Sequence, residues 1–353
     1  MPSNITDLQR FRGCLLGGAV GDALGAPVEF LTHREIVAQF GERGIRDFAP
    51  AYGRLGAVTD DTQMTLFTAE GLIRAAVRLA NKGICHPASV VHHAYVRWLD
   101  TQGEKPESFD IGADGWLADL PQLRARRAPG DTCISALRKC TVAGMPAVND
   151  SKGCGTVMRT APVGLLADRE QVFDLAAELA ALTHGHPTAS ASAGFMSVLI
   201  SEVVHGVGLH DAVTAAKTAL VARPGHEETL AAIEMAEALA ATGNADAATV
   251  ERLGGGWTAE EAVAIALLAV LATSDFEEAV VLAVNHGGDS DSTGAIAGNV
   301  AGAIYGADAI PARWLEPLEL RDEITAIADD LLGVRDGTLD MESDETWNRY
   351  PGW

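Results

Sequence analysis

Apolar residues recur three and four positions apart over most of the chain, while β-branched alternating runs are scarce, so the pattern predicts helices rather than strands. Segments with that period cover residues 8–25, 61–82, 87–101, 155–183, 188–205, 209–222, 227–241, 258–272, 275–285, 292–305 and 313–332. Polar breaks rich in Gly, Pro and Asp separate them: "APVEFLTHRE", "FAPAYGRLGAVTDD", "TQGEKPESFDIGADG", "RRAPGDT", "AVNDSKGCG" and "ATGNADA". Ala and Leu, both strong helix formers, fill most of the apolar positions. No linker divides the pattern and no solenoid period runs through it. An all-α fold in one compact domain over 1–333 follows, with "VRDGTLD" to "RYPGW" (334–353) expected as an acidic surface tail.

Composition sharpens this picture. The chain has 353 residues, 48% hydrophobic but only 5% aromatic, so the core is built from small and aliphatic side chains. Formal net charge is −22, and no basic stripe is visible. A protein that displaces counterions from phosphates needs such a stripe, so nucleic acid and anionic membrane are not the expected partners. The five cysteines, Cys14, Cys85, Cys133, Cys140 and Cys154, are scattered without a CxxC pair. That speaks against a zinc ribbon or a disulfide framework and for a reducing, cytoplasmic setting. Arg10 and Arg12 before "GCLLGGAV" imitate a signal peptide, but Asp22 follows closely and a core helix is the better reading. No apolar stretch is expected to span a membrane.

Glycine spacing carries a further signal. Gly13, Gly17, Gly21 and Gly25 recur every fourth residue, as do Gly294, Gly298, Gly302 and Gly306. That spacing places each set on one side of a helix, where missing side chains permit close backbone approach. Packing alone is a sufficient reason. Close packing would also bring the loops at the helix ends together.

Those loops are acidic. "HGGDSDSTGA", residues 286–295, gathers two acids, three hydroxyls and three glycines beside an apolar run. "GAVTDDTQMTL" sets Thr59, Asp60 and Asp61 before another helix, far away in sequence. Asp and Thr are favoured N-caps, and an acid suits the positive end of a helix, so each cluster alone has a structural explanation. Two clusters of one kind offer four carboxylates and several hydroxyls, hard oxygen donors suited to Mg²⁺ or Mn²⁺ rather than Zn²⁺.

The motifs "GCLLGGAVGDALGAPVEF", "TDDTQMTL", "GCGTVMRTAPVGLL", "LTHGHPTASASA" and "HGGDSDSTGAIAGNVAGAIYG", in this order, resemble the ADP-ribosylglycohydrolases. The resemblance spans roughly residues 11–332. It implies an all-α fold around a binuclear Mg²⁺ or Mn²⁺ site, a monomer, and cleavage of ADP-ribose from a modified protein or small acceptor. Position by position, it implies Thr59, Asp60 and Asp61 as metal ligands from one side and Asp289, Asp291 and Ser292 from the other. The family often has Thr where Ser292 stands, and Thr293 is next. Glu29 matches a glutamate near the metals, giving Glu29, Asp60, Asp61 and Asp291 as the catalytic set. Asp22 is expected to serve the helix or the surroundings of the ligands, and Asp131 aligns loosely with another functional acid.

Substrate contacts are implied at Ser151, Gly153, Cys154, Gly155, His184, Gly287 and Gly288. "NDSKGCGTVMR" is similar to the family's phosphate-side glycine loop, with a helix opening near Thr156 to face the anion. Relatives often have Asn where this chain has Cys154. Arginine is the mildly favoured acceptor, because "APVEFLT" and "TDDTQM" resemble the bacterial dinitrogenase-reductase enzymes; serine, a nucleobase or a small molecule are the other candidates. Most glycosidases use paired carboxylic acids, and here two ions would share that work. Two alternatives remain: a silent ADP-ribose-binding module, and an HD-type phosphohydrolase using His92, His93 and His210–Asp211.

Overall fold

The computed structural model describes residues 5–108, 114–244 and 246–352. Among them the chain is helical, with two isolated β-bridges and no strand. The first half forms α1 (Asp7–Gly25), α2 (His33–Phe40), α3 (Asp60–Lys82), α4 (Pro87–Thr101), α5 (Asp131–Lys139), α6 (Ala161–Leu166), α7 (Val172–Ala181) and α8 (Pro187–Val204). The second forms α9 (Leu209–Val221), α10 (Glu227–Ala240), α11 (Ala247–Val250), α12 (Ala259–Ala272), α13 (Phe276–Val284), α14 (Ser290–Tyr305), α15 (Ala312–Leu315), α16 (Arg321–Asp336) and α17 (Asp344–Arg349).

At the centre, α1 and α14 run antiparallel, glycine against glycine. A methyl group at Gly13 would fall 2.3 Å from the Gly302 carbonyl oxygen, at Gly17 2.4 Å from Gly298 O, at Gly21 1.9 Å from Gly294 O, and at Gly25 2.2 Å from Ser290 O. The backbones themselves are in contact, as the four-residue spacing predicts. Gly306 is the exception in its set: it ends α14 at φ +80°. The consequence is positional. The C-terminal end of α1 is held against the N-terminal end of α14, where Asp289 and Asp291 lie.

Several elements depart from expectation. The helix expected over 155–183 is two, α6 and α7, preceded by a 3₁₀ turn at Cys154–Thr156. Pro162 lacks the N–H that a continuous helix would need, and Ala167 is extended with ψ 148°. The helix expected over 313–332 breaks at Pro317, and Leu320 takes φ +58° before α16 begins. Residues 334–352, within the stretch expected as an acidic surface tail, are tied to the domain. Tyr350 is 1% exposed, its hydroxyl donates to Asp330 (2.5 Å), and Arg78 donates to the Gly352 carbonyl (3.0 Å). Against expectation, α8 has the length and mean hydropathy of a membrane span, but 89% of it is buried inside the protein, as a core helix requires.

Candidate active site

Two helix N-termini meet where α1 ends. Thr59 caps α3, with its hydroxyl accepting from Asp61 N (3.3 Å). The Asp22 carboxylate, projecting from α1, accepts from Thr59 N (3.0 Å) and Thr62 N (3.1 Å). Two of the orphan N–H groups at the start of α3 are thereby satisfied from outside the helix. Asp289 stands at the N-cap of α14 without a side-chain capping bond. Asp60, Asp61 and Asp289 are therefore not spent on capping.

Glu29 reaches the same place from the turn after α1. Carboxylate oxygens of Glu29, Asp289 and Asp291 lie within 4.8 Å of one another, and all three residues are buried. Together with Asp60, Asp61, Ser292 and Cys154 they line a cavity of about 220 Å³. Among the described residues no Arg or Lys pairs with these acids; Arg54 and Arg127, on the flanking loops, both pair with Glu319. Glu29 Oε2 and Asp61 Oδ1 have no hydrogen-bond partner at all. Burial, followed by the field of Asp291, pushes Asp22 up to about 7 and Glu29 up to about 10. The same two causes hold Asp60, Asp61 and Asp289 well above the carboxylate range. A buried cluster of like charge must take up protons or a cation. Orphaned oxygen donors of this kind fit a hard divalent ion.

The opposite wall is the segment 151–155, fixed close to the acids. Cys154 N donates to Trp257 O (3.1 Å), and Gly153 bridges to Thr258. A side chain at Gly153 would approach His184 Nε2 to 3.1 Å, and one at Gly155 would meet Cys133 Sγ at 3.0 Å. Arg159 donates to the Thr183 hydroxyl (2.6 Å), which lies 2.8 Å from His184 Nδ1. Arginine can only donate, so the Thr183 hydroxyl keeps a proton that Nδ1 can accept, and in that arrangement the His184 proton sits on Nε2, on the cleft side. Burial, helped by Arg159, lowers His184 to about 3, keeping it neutral. Over the mouth, Phe30 (71% exposed) stacks on Trp257 (46% exposed) with ring centres 6.0 Å apart.

A profile of the family described as ADP-ribosylglycohydrolase matches residues 3–339. The chain belongs to the ADP-ribosylglycohydrolase family. As a member it is a glycosidic-bond hydrolase. It is 28% identical over 320 residues to the ADP-ribosyl-[dinitrogen reductase] glycohydrolase of Rhodospirillum rubrum, covering 89% of this chain and 92% of that one. It is 26% identical over 333 residues to the ADP-ribosylarginine hydrolase Tri1 of Serratia proteamaculans, covering 92% and 79%. A solved structure described as an ADP-ribosylglycohydrolase-related protein complex superposes with a TM-score of 0.68 at 30% identity, covering 93% of this chain and 99% of the other.

In this family member the expected site residues converge unevenly. Glu29, Asp60, Asp61, Asp131, Gly153, Cys154, Gly155, His184, Asp289, Asp291 and Ser292 line one cavity. Thr59 sits behind them as the α3 cap, and Ser151 lies at the edge, 3.1 Å from the Thr132 hydroxyl. Gly287 and Gly288 do not line it. Gly287 N donates to the Glu251 carboxylate (3.1 Å), and a side chain at Gly288 would fall 2.0 Å from Gly255 O, so Gly288 serves backbone packing. Ser292 faces the cavity, whereas the Thr293 hydroxyl is committed to Ala283 O (2.8 Å) and Asp289 O (2.9 Å). No α-helix opens at Thr156; a single 3₁₀ turn does, so the expected dipole is absent there. His210 and Asp211 are exposed on α9, and His92 accepts from Gly144 N (3.0 Å) in a different region, which removes the HD-type arrangement. Trp257, Ala128, Gly130, Thr132, Cys133 and Met158 complete the lining without having been foreseen.

Proposed function

We propose that the chain removes ADP-ribose from a modified arginine by hydrolysing the bond at the anomeric carbon of the distal ribose. In this reading two divalent ions, Mg²⁺ or Mn²⁺, are held by Thr59, Asp60, Asp61, Asp289, Asp291 and Ser292. The observation that carries it is the convergence of two acidic helix N-termini on one cavity that no Arg or Lys lines, with orphaned carboxylate oxygens. Bound there, such ions supply positive charge near the ribose and a water of lowered pKa.

The remaining work falls to the protein's own groups. Glu29, whose carboxylate lies within 4.8 Å of those of Asp289 and Asp291, is placed to pass a proton to the departing nitrogen. A guanidine leaving group is far easier to expel protonated than as its conjugate base. Neutral His184 offers Nε2–H to an acceptor oxygen in the cleft, and Gly153 and Gly155 let ligand and backbone approach. The Phe30–Trp257 pair covers the opening, and excluding water there protects an oxocarbenium-like transition state from side reactions. Arginine as acceptor is supported by the names of two relatives, the dinitrogen-reductase glycohydrolase and the ADP-ribosylarginine hydrolase.

The test is release of free ADP-ribose from an arginine-ADP-ribosylated protein with Mg²⁺ or Mn²⁺, repeated in EDTA. Release that EDTA abolishes is expected. Binding of ADP-ribose without release from arginine, serine or nucleobase conjugates would overturn the hydrolytic reading in favour of a silent binder.

A further inference from the structure

Cys154 is a sulfur donor inside an otherwise oxygen-lined centre. Its Sγ lies 2.7 Å from Asp289 Oδ2 and 3.6 Å from Ser292 Oγ. An oxygen at about 2.1 Å and a sulfur at about 2.3 Å on one ion stand roughly 3.1–3.6 Å apart; the Ser292 separation matches this, and the shorter Asp289 contact is a thiol–carboxylate hydrogen bond that would open by about 0.4 Å once its proton gave way to an ion. The backbone that carries the thiol is held to the segment that also holds Asp289: Cys154 N donates to Trp257 O, Gly153 bridges to Thr258, and Asp289 N donates to Gly255 O (2.8 Å). Two unpartnered oxygens line the same cavity, Glu29 Oε2 and Asp61 Oδ1, on side chains more than nine-tenths buried. The second thiol on the cleft, Cys133, accepts from Arg159 (3.4 Å), and a guanidinium at that distance opposes a cation.

We propose that Cys154 and Asp289, with Ser292, form a site for a thiophilic divalent cation of the Zn²⁺ and Cd²⁺ class, which competes there with the hard ion. The inference rests on the metal reading of Asp289 given above. A thiolate ligand moves a site's preference towards softer ions, while an all-oxygen site favours Mg²⁺ and Mn²⁺. On binding, the S–H bond breaks, the sulfur keeps the electron pair as the metal–sulfur bond forms, and the proton leaves to solvent.

The test is a Cd²⁺ titration of the full chain, followed by the ultraviolet thiolate-to-cadmium charge-transfer band, on wild type, Cys154→Asn and Cys133→Ser. Mn²⁺ binding is measured on the same preparations by electron paramagnetic resonance. A band of one thiolate per chain in wild type and Cys133→Ser, missing in Cys154→Asn, is the expected result. Cys154→Asn should weaken Cd²⁺ by more than about tenfold and Mn²⁺ by less than about threefold. Normal Mn²⁺ binding with no wild-type band, or a band that survives in Cys154→Asn, would overturn the sulfur site and leave the hard-metal centre standing. Absence of Mn²⁺ binding in folded wild type would overturn the centre and this site with it.

Discussion

Replacing Gly21 by Ala tests whether the glycine contact between α1 and α14 sets the metal site. The new methyl group would lie 1.9 Å from Gly294 O, and the helices must open by about 1.1 Å to reach even 3.0 Å. The obstacle is backbone, so no side-chain rotation relieves it. Overpacking of this kind costs up to about 3 kcal/mol, and the higher helix propensity of Ala returns about 1, leaving a net loss near 2 kcal/mol. Opening at Gly21 occurs about one turn, ~6 Å, from the Gly25–Ser290 contact that bears Asp291. Gly13→Ala is the matched control. Its methyl group would fall 2.3 Å from Gly302 O, a similar clash some 18 Å from the acidic end. Urea unfolding should therefore report comparable destabilisation for both variants. Mn²⁺ titration should report affinity lost by about tenfold or more in Gly21→Ala and much less in Gly13→Ala. Equal metal loss in both would refute the local argument, and wild-type stability in Gly21→Ala would refute the contact itself.

Asp289→Asn and Asp60→Asn should each remove a metal and lower turnover by more than about 100-fold, since outer partners of metal ligands alone are worth 10–100-fold; calorimetry and ADP-ribose release check this. Thr183→Val leaves His184 Nδ1 unpaired and frees its tautomer, so the Kd for ADP-ribose should rise about tenfold while the nitrogen shifts of His184 change. The metal-free protein should melt at lower temperature as pH rises from about 7 to about 9, above the range in which the buried His92, His184 and His286, all lowered, titrate in the unfolded chain. Glu29 (ordinary value 4.5, raised to about 10) and Asp22 (3.8, raised to about 7) make the folded state bind more protons than the unfolded one in that range, so their contribution is full below the ordinary values and lost as pH climbs through the raised ones. Mg²⁺ should flatten that slope; a metal-free melting temperature that rises over the interval would contradict the buried-acid account.

Helix positions were legible wherever the apolar period ran long: α4 begins and ends where the pattern does, and α3, α8, α9, α10 and α12 fall within a residue of it. What the pattern hid was local chemistry inside polar text. Within "FLTHRE" the helix α2 announces itself by a capping box, Thr32 with Glu35, yet its surroundings look like loop. The long apolar run after Thr156 concealed the break that Pro162 imposes, because periodicity registers faces and not missing N–H groups. The acids of α3 and α14 were legible because each cluster lies at a helix start with hydroxyls, whereas Glu29 was placed by the family resemblance. Trp257 and Phe30 were not legible, since their partnership exists only through the tertiary fold. Gly287 and Gly288 lie beside the cavity and not on its lining, and in sequence a glycine reads alike whether it faces ligand or backbone.

One ambiguity of the sequence is resolved by a residue that carried little weight in it. Thr59, Asp60 and Asp61 are what a plain helix cap looks like, and so is Asp289. A capping carboxylate must accept the N–H groups of its own first turn. At α3 that role belongs to Asp22, from another helix, and to the Thr59 hydroxyl. Asp60 instead accepts from Gly130 N (3.2 Å), across the cleft, and Asp61 retains an oxygen with no partner. Asp22 can reach α3 only because α1 is pressed against α14 by its glycines, which fixes all three helix ends at once. The same contact that leaves the carboxylates unneeded for capping also crowds them together beyond water's reach. Burying them in this way costs several kcal/mol without a counter-ion, a loss that a divalent cation would offset.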